Sequence, residues 1–190
     1  MVHYRSLFIS DTHLGARSSK VTRLLAFLKD IRADSLYLVG DIVDGKTIPQ
    51  KAVRALLGVS ANVTYVFGNH DFLGALGAIV SVSHAFHETA DGRKLLIVHG
   101  DQFDPLMNGW YILFSGMQQN LLWRFVYHKF VKKARAAALT QGCSGVICGH
   151  IHHPEIRQKC GFLYANCGDF VTSCTAIAEH HDGYLDLLRG

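Results

Sequence analysis

Five times along this chain a short apolar run ends on a side chain that can bind a cation. Leu7-Phe8-Ile9-Ser10 leads to Asp11, Leu36-Tyr37-Leu38-Val39-Gly40 to Asp41, and Val63-Thr64-Tyr65-Val66-Phe67-Gly68 to Asn69. Leu95-Leu96-Ile97-Val98 leads to His99, and Val146-Ile147-Cys148-Gly149 to His150. Runs this short, rich in β-branched and aromatic residues, read as strands buried on both faces. Helical spacing appears between the first of them. Val21, Leu24, Leu25, Leu28 and Ile31 form one apolar face. A second helix starts at Pro49, carries Val53, Leu56 and Leu57, and stops at Gly58. Strand alternating with helix implies an α/β sheet, and such sheets collect ligands outside the carboxyl ends of their strands. Thr175–Glu179 and Tyr184–Leu188 flank an Asp182-Gly183 turn and read as a hairpin, which makes the sheet arrangement mixed.

The strand ends carry five motifs: Asp11-Thr12-His13, Gly40-Asp41-Ile42-Val43-Asp44, Gly68-Asn69-His70-Asp71, Val98-His99-Gly100-Asp101 and Gly149-His150-Ile151-His152. All offer oxygen or imidazole donors, and none offers cysteine. That donor set suits manganese, iron or zinc in octahedral or five-coordinate sites better than a tetrahedral structural zinc site. Residues i and i+2 at a strand end point the same way, so Asp11 with His13, and His150 with His152, are expected to face one ion or two neighbouring ions. A single Asp after a strand is ordinarily a turn or a helix cap, and a lone buried His is ordinarily a hydrogen-bonded core residue. His3, His84, His87, His128, His153, His180 and His181 are read that way, without a catalytic part. The ordered set of five motifs is what carries weight.

A chain of 190 residues, 49% hydrophobic and 18% charged, is read as one globular domain spanning 1–190. Its five cysteines are odd in number and have no C-x-x-C spacing, and its first residues lack the apolar core of a signal peptide, so reduced thiols in a cytoplasm are expected. The net charge of +4 is unevenly spread. No acidic residue falls between Asp104 and Glu155, a segment holding Arg124, Lys129, Lys132, Lys133 and Arg135. Such a basic face implies an anionic partner: a phosphate, a lipid headgroup or nucleic acid.

The ordered series D-x-H, G-D-x-x-D, G-N-H-D, a His before Gly, and G-H-x-H resembles the calcineurin-like metallophosphoesterase superfamily from Asp11 to His152. The resemblance implies an αββα sandwich of two mixed sheets flanked by helices, and two divalent metal ions. One ion is then held by Asp11, His13, Asp41 and His152, and the second by Asp41, Asn69, His99 and His150. Asp41 is shared. His70, oriented by Asp44, is implied to act at the leaving-group oxygen. Paired ions can clamp the attacking and leaving oxygens of a displacement at phosphorus.

Flanking residues are similar to one bacterial branch, the UDP-2,3-diacylglucosamine pyrophosphohydrolase-like enzymes of lipid A synthesis. They are Phe72-Leu73, His99-Gly100-Asp101-Gln102-Phe103-Asp104, His150-Ile151-His152-His153-Pro154 and Asn166 to Ala176. That branch implies cleavage of a UDP-diacylglucosamine to a lipid phosphate and UMP, with manganese, at the inner face of the inner membrane. The chain departs from it in carrying His70 where the authentic diphosphatase has Arg, and in a shorter insert. A small helical cap is expected over about 105–140, where Trp110, Phe114, Met117 and Leu121 recur at helical spacing. Its basic residues, Arg124 and Lys132 among them, are candidates for substrate or headgroup contact; an ordinary amphipathic helix packed on the sheet is the equal alternative. Gln118-Gln119-Asn120 and Arg124 argue against a membrane span. Asn166, Asp169 and Thr172 are read either as substrate contacts or as supports of the metal loop. A nuclease or phosphodiesterase on the same metal site ranks second, and a non-catalytic protein-binding scaffold ranks low because every expected ligand is present.

Overall fold

The computed structural model describes residues 1–104 and 121–190. Eleven strands build two mixed sheets among these residues. The first sheet has the order β11-β10-β1-β2-β3-β4, with β1 Val2–Ile9, β2 Ile31–Val39, β3 Val63–Val66, β4 Ser81–Val82, β10 Thr175–Glu179 and β11 Leu185–Arg189. The second has the order β5-β6-β7-β9-β8, with β5 Ala85–Glu88, β6 Lys94–Ile97, β7 Gly145–Cys148, β8 Glu155–Lys159 and β9 Phe162–Asn166. β1, β2 and β3 run parallel to one another, as do β6, β7 and β9, while β10 joins β1 antiparallel. Helices α1 Val21–Leu28 and α2 Gln50–Leu57 cover the first sheet, and α3 Leu121–Thr140 packs on the second.

The period of two in each strand explains the unbroken apolar runs. Leu7 and Ile9 face the α1/α2 layer while Phe8 between them faces the opposing sheet. Leu36 and Leu38 divide from Val39 in the same way. In the second sheet Leu95, Ile97 and Ile147 turn inward, whereas Leu96, Val98, Val146 and Cys148 meet α3. Each of these central strands is thus sandwiched between two apolar layers, and alternation has no polar face to display. Each fully buried large side chain contributes about 1.5–3 kcal/mol relative to exposure. One polar cluster bridges the sheets: Glu179 of β10 accepts from Arg5 of β1 at 2.7 Å and lies 2.7 Å from Nε2 of His87 of β5. Tyr37 of β2 meets Nδ1 of the same imidazole at 3.0 Å.

Several elements differ from the sequence reading. α1 ends at Leu28, so Ile31 opens β2 instead of extending the helical face. β4, β5, β8 and β9 carried no clear signal. β8 and β9 join through Cys160 and Gly161, both at positive φ, a tight hairpin turn. The C-terminal hairpin forms as expected, one residue shifted at β11. The expected cap divides. Its first part, with Trp110, Phe114 and Met117, lies outside the described residues. Its second part is α3, whose Trp123, Tyr127, Phe130, Ala134 and Ala138 are buried against the second sheet. Arg124, Lys129, Lys132 and Lys133 occupy the exposed face, together with Leu121 and Phe125. Over 121–140 the chain is a helix packed on the second sheet as an outer layer of the sandwich.

Candidate metal centre

All five motifs follow the carboxyl ends of parallel strands, β1, β2 and β3 in one sheet and β6 and β7 in the other. The strands stop short of the ligands, and the backbone then enters the left-handed region. Asp11 (φ 51°), His13 (44°), Asp41 (52°), His150 (68°) and His152 (50°) are five of the seven non-glycine residues with positive φ among the described residues. Each such conformation costs about 1–2 kcal/mol and persists only where surrounding structure enforces it. This corrects the reason for the convergence of Asp11 with His13 and His150 with His152. Sharp left-handed turns, and not the pleat of a continuing strand, aim these side chains. Gly149 explains one close approach: a Cβ there would collide with Asp11 Oδ2 and Ser10 Oγ.

Three donor groups result among the described residues: two are nearly all buried, and the third joins His13 to Asp44 and the exposed His70. Donor atoms of Asp11, His13 and His152 lie within 4.8 Å of one another, and so do those of Asp41, His99 and His150. Asp41 Oδ2 stands between the clusters, 3.9 Å from His13 Nε2 and 3.4 Å from His99 Nε2. His99 Nδ1–H donates to the Val39 carbonyl at 3.0 Å, which fixes the tautomer and turns Nε2 toward Asp41. His13 Nε2 and His99 Nε2 are buried with no hydrogen-bond partner among the described residues. Orphaned imidazole nitrogens beside carboxylates are what a cation site presents to its ion. The donors fit divalent metal ions, with Asp11, His13 and His152 at one position, Asp41, His99 and His150 at the other, and Asp41 placed to reach both.

The electrostatics agree. Burial opposes a charged Asp11, but the neighbouring His152, His99 and His13 outweigh it and hold its carboxyl below the usual range. Burial likewise opposes a charged His99, yet the Asp41 carboxylate 3.4 Å away and the charge of Asp11 raise it to about 10. His152 is raised by Asp11 against its own burial. The carboxylates thus favour positive charge on His99 and His152.

His70 is exposed at the mouth, its Nδ1 3.2 Å from Asp44 Oδ2. The same oxygen lies 3.2 Å from His13 Nδ1. Asn69, the remaining expected ligand, is exposed in the turn after β3. Asn166 and Asp169 are fully buried. Asn166 donates to the Gly149 carbonyl at 2.6 Å and accepts the Gly168 N–H at 3.0 Å. Asp169 accepts the N–H of Val171 at 2.7 Å and the hydroxyl of Ser173 at 2.9 Å. Both brace the loop that follows β9. Arg124 and Lys132 stand on the outer face of α3, away from the sheet on which the helix packs.

Two residues had no assigned part. Asp71 accepts four backbone N–H groups: Asp41 and Gly68 at 2.8 Å, Ile42 at 2.9 Å and Val43 at 3.0 Å. Burial pushes its carboxyl up, with Tyr65 and the N–H groups of Val43 and Gly68 acting in the opposite direction. Its place in Gly68-Asn69-His70-Asp71 was the available signal. Asp104 is buried with Oδ2 3.4 Å from His150 Nε2, and its place in the stretch His99–Asp104 was the available signal.

Residues 5–181 match the model of the calcineurin-like phosphoesterase superfamily domain. The chain belongs to that superfamily. It is 33% identical over 115 residues to the UDP-2,3-diacylglucosamine hydrolase of Blochmanniella pennsylvanica, covering 50% of this chain and 46% of that protein. The chain spans about half the length of the curated relatives it matches. Among solved structures, a Vps29 single mutant from Entamoeba histolytica superposes with TM-score 0.62 at 15% identity over 97% of both chains. The E. coli phosphoesterase Yfce gives TM-score 0.56 at 19% identity over 97% of this chain and 98% of that one. These last two establish the sandwich fold. Family membership and the hydrolase-named relatives support a metal-dependent phosphoesterase. Among the described residues no helix is long and apolar enough to cross a membrane.

Proposed function

We propose that this protein hydrolyses a phosphate ester or anhydride with two divalent metal ions, manganese being the favoured pair and iron or zinc the alternatives. The observation that carries the reading is the pair of ligand clusters on either side of Asp41, each with a buried imidazole nitrogen that no described group satisfies. When bound, the ions supply positive charge that polarises the phosphoryl group and acidifies an attacking water. Asp11, His13, Asp41 and His152 would hold one ion, and Asp41, Asn69, His99 and His150 would hold the other. His70 stands at the mouth with Nδ1 on Asp44, which leaves Nε2 to give a proton to the departing oxygen. No side chain needs to form a covalent intermediate.

The substrate class is a nucleotide-diphospho lipid of the UDP-2,3-diacylglucosamine type, cleaved to a lipid phosphate and UMP. The curated relatives support this through half of their length. The exposed face of α3 adds cations beside Leu121 and Phe125, a composition suited to an anionic membrane surface at the cytoplasmic side of the inner membrane. A manganese-supplemented panel of UDP-diacylglucosamine, a simple phosphodiester, a phosphomonoester and single-stranded DNA tests both levels. Turnover of the lipid nucleotide above the others is expected. Brisk turnover of only a simpler ester removes the lipid assignment, and no turnover of any member removes the enzyme.

A further inference from the structure

The short turn that follows His99 supplies a second acidic side chain to the same cluster. Gly100, at φ 114°, turns the chain into a 3-10 turn over Asp101–Phe103, and Asp104 closes it with its N–H donating to the Asp101 carbonyl at 3.0 Å. Phe103 is buried under α3, where its ring meets Phe130 edge-on at 5.9 Å. The Phe130 ring in turn lies nearly parallel to the imidazole of His150, 6.3 Å away. Asp104 is thus held from below and inward, 4% exposed, with Oδ2 3.4 Å from His150 Nε2. A carboxylate buried this deeply is retained where it meets a donor or a cation.

We infer that Asp104 is a positioning residue that fixes the His150 ring, accepting the Nε2 proton so that Nδ1 is the nitrogen presented to the cation shared with Asp41 and His99. This rests on the metal-centre reading above. A ligating imidazole ordinarily gives its other N–H to a carboxylate or carbonyl, which sets the tautomer and strengthens the donor nitrogen. His99 has the Val39 carbonyl for that purpose, and His13 has Asp44. Asp104 gives His150 the same kind of partner. One turn, from His99 to Asp104, then provides both a ligand of the second ion and the orienting group of another ligand of that ion.

Manganese titration by calorimetry and electron paramagnetic resonance, on the metal-stripped full chain, tests this with Asp104→Ala and Asp104→Asn. Two equivalents in the unaltered chain establish the metal centre itself; none would sink that reading first. Given two, Asp104→Ala is expected to weaken one equivalent by about 10–100-fold and leave the other unchanged, with loss of the spin-coupled signal at limiting manganese. Asp104→Asn, which keeps an acceptor oxygen, is expected to recover part of the affinity. Unchanged affinity for both equivalents in Asp104→Ala overturns the inference. So does abolition of the second equivalent as complete as in His99→Ala, which makes Asp104 a direct ligand. Equal weakening of both equivalents with a lowered melting temperature assigns it to the fold alone.

Discussion

The carboxylate of Asp71 accepts the backbone N–H of Asp41 at 2.8 Å. It also takes the N–H groups of Ile42, Val43 and Gly68, and so pins the turn after β2 to the turn after β3. Asp41 itself is left with its side chain free to face His99, His13 and the N–H of His70. One acidic residue fastens the loop from behind while the other faces the imidazoles of His13 and His99.

Replacing Asp71 should therefore damage the fold and the site together. Asp71→Ala leaves four buried N–H groups unsatisfied, and a loss of about 3–5 kcal/mol is expected in urea denaturation. Asp71→Asn retains one acceptor oxygen and should lose less. A melting curve unchanged by Asp71→Ala would contradict the role.

His70 is expected to act on the leaving group. His70→Ala should lower kcat by about 10²–10⁴-fold on an ester whose leaving alkoxide needs a proton. On a p-nitrophenyl ester, whose phenolate leaves unaided, the loss should shrink to a few-fold. The comparison is read in steady-state kinetics on both esters; equal losses would place His70 in binding and not in proton transfer.

Metal binding should release protons. In the metal-free chain His99 is held protonated up to about 10, above its ordinary 6.5, because Asp41 and Asp11 outweigh its burial. A raised folded value means that this proton stabilises the metal-free fold fully below about pH 6.5, an effect lost as pH rises toward 10. A divalent ion must displace the proton, so manganese affinity is expected to rise with pH over that window. Calorimetry in buffers of differing ionisation enthalpy should show at least one proton released per chain at pH 7. Saturating metal should also raise the melting temperature, by an amount set by about 2.7 kcal/mol at one hundred times Kd.

Glu179 should govern part of the acid limb of stability. Burial works against its charge, but His87 and the Ala90 N–H hold its carboxyl below the usual value. A depressed folded value contributes stability above the unfolded one, near about 4.3, that is lost as pH falls through the folded value. Glu179→Gln should cost about 2–3 kcal/mol at pH 7, since Arg5 and His87 lose a charged partner. It should also flatten the fall in stability below pH 4.3, as measured by urea denaturation at successive pH values.

Much of this molecule was legible in the chain itself. Five apolar runs ending on Asp11, Asp41, Asn69, His99 and His150 specified strands with both faces covered, because each run lacks the polar alternation of a half-exposed strand. Pro49 and Gly58 bounded α2. What lay beyond the sequence follows from interactions between distant residues. Ile31 fits a helical face as well as a strand, and pairing with Val2 decided for β2. α3 became a packed outer layer because the second sheet offered an apolar face for Trp123, Tyr127 and Phe130. The left-handed turns at Asp11, His13, Asp41, His150 and His152 are invisible in local propensity, which disfavours them, and exist because two sheets hold the strand ends in register. Asp71 and Asp104 read as ordinary acidic residues until the fold places one under four N–H groups and the other against His150. The residue types and their order set which ions and chemistry the chain can host; the packing of two sheets set which nitrogen and oxygen atoms meet.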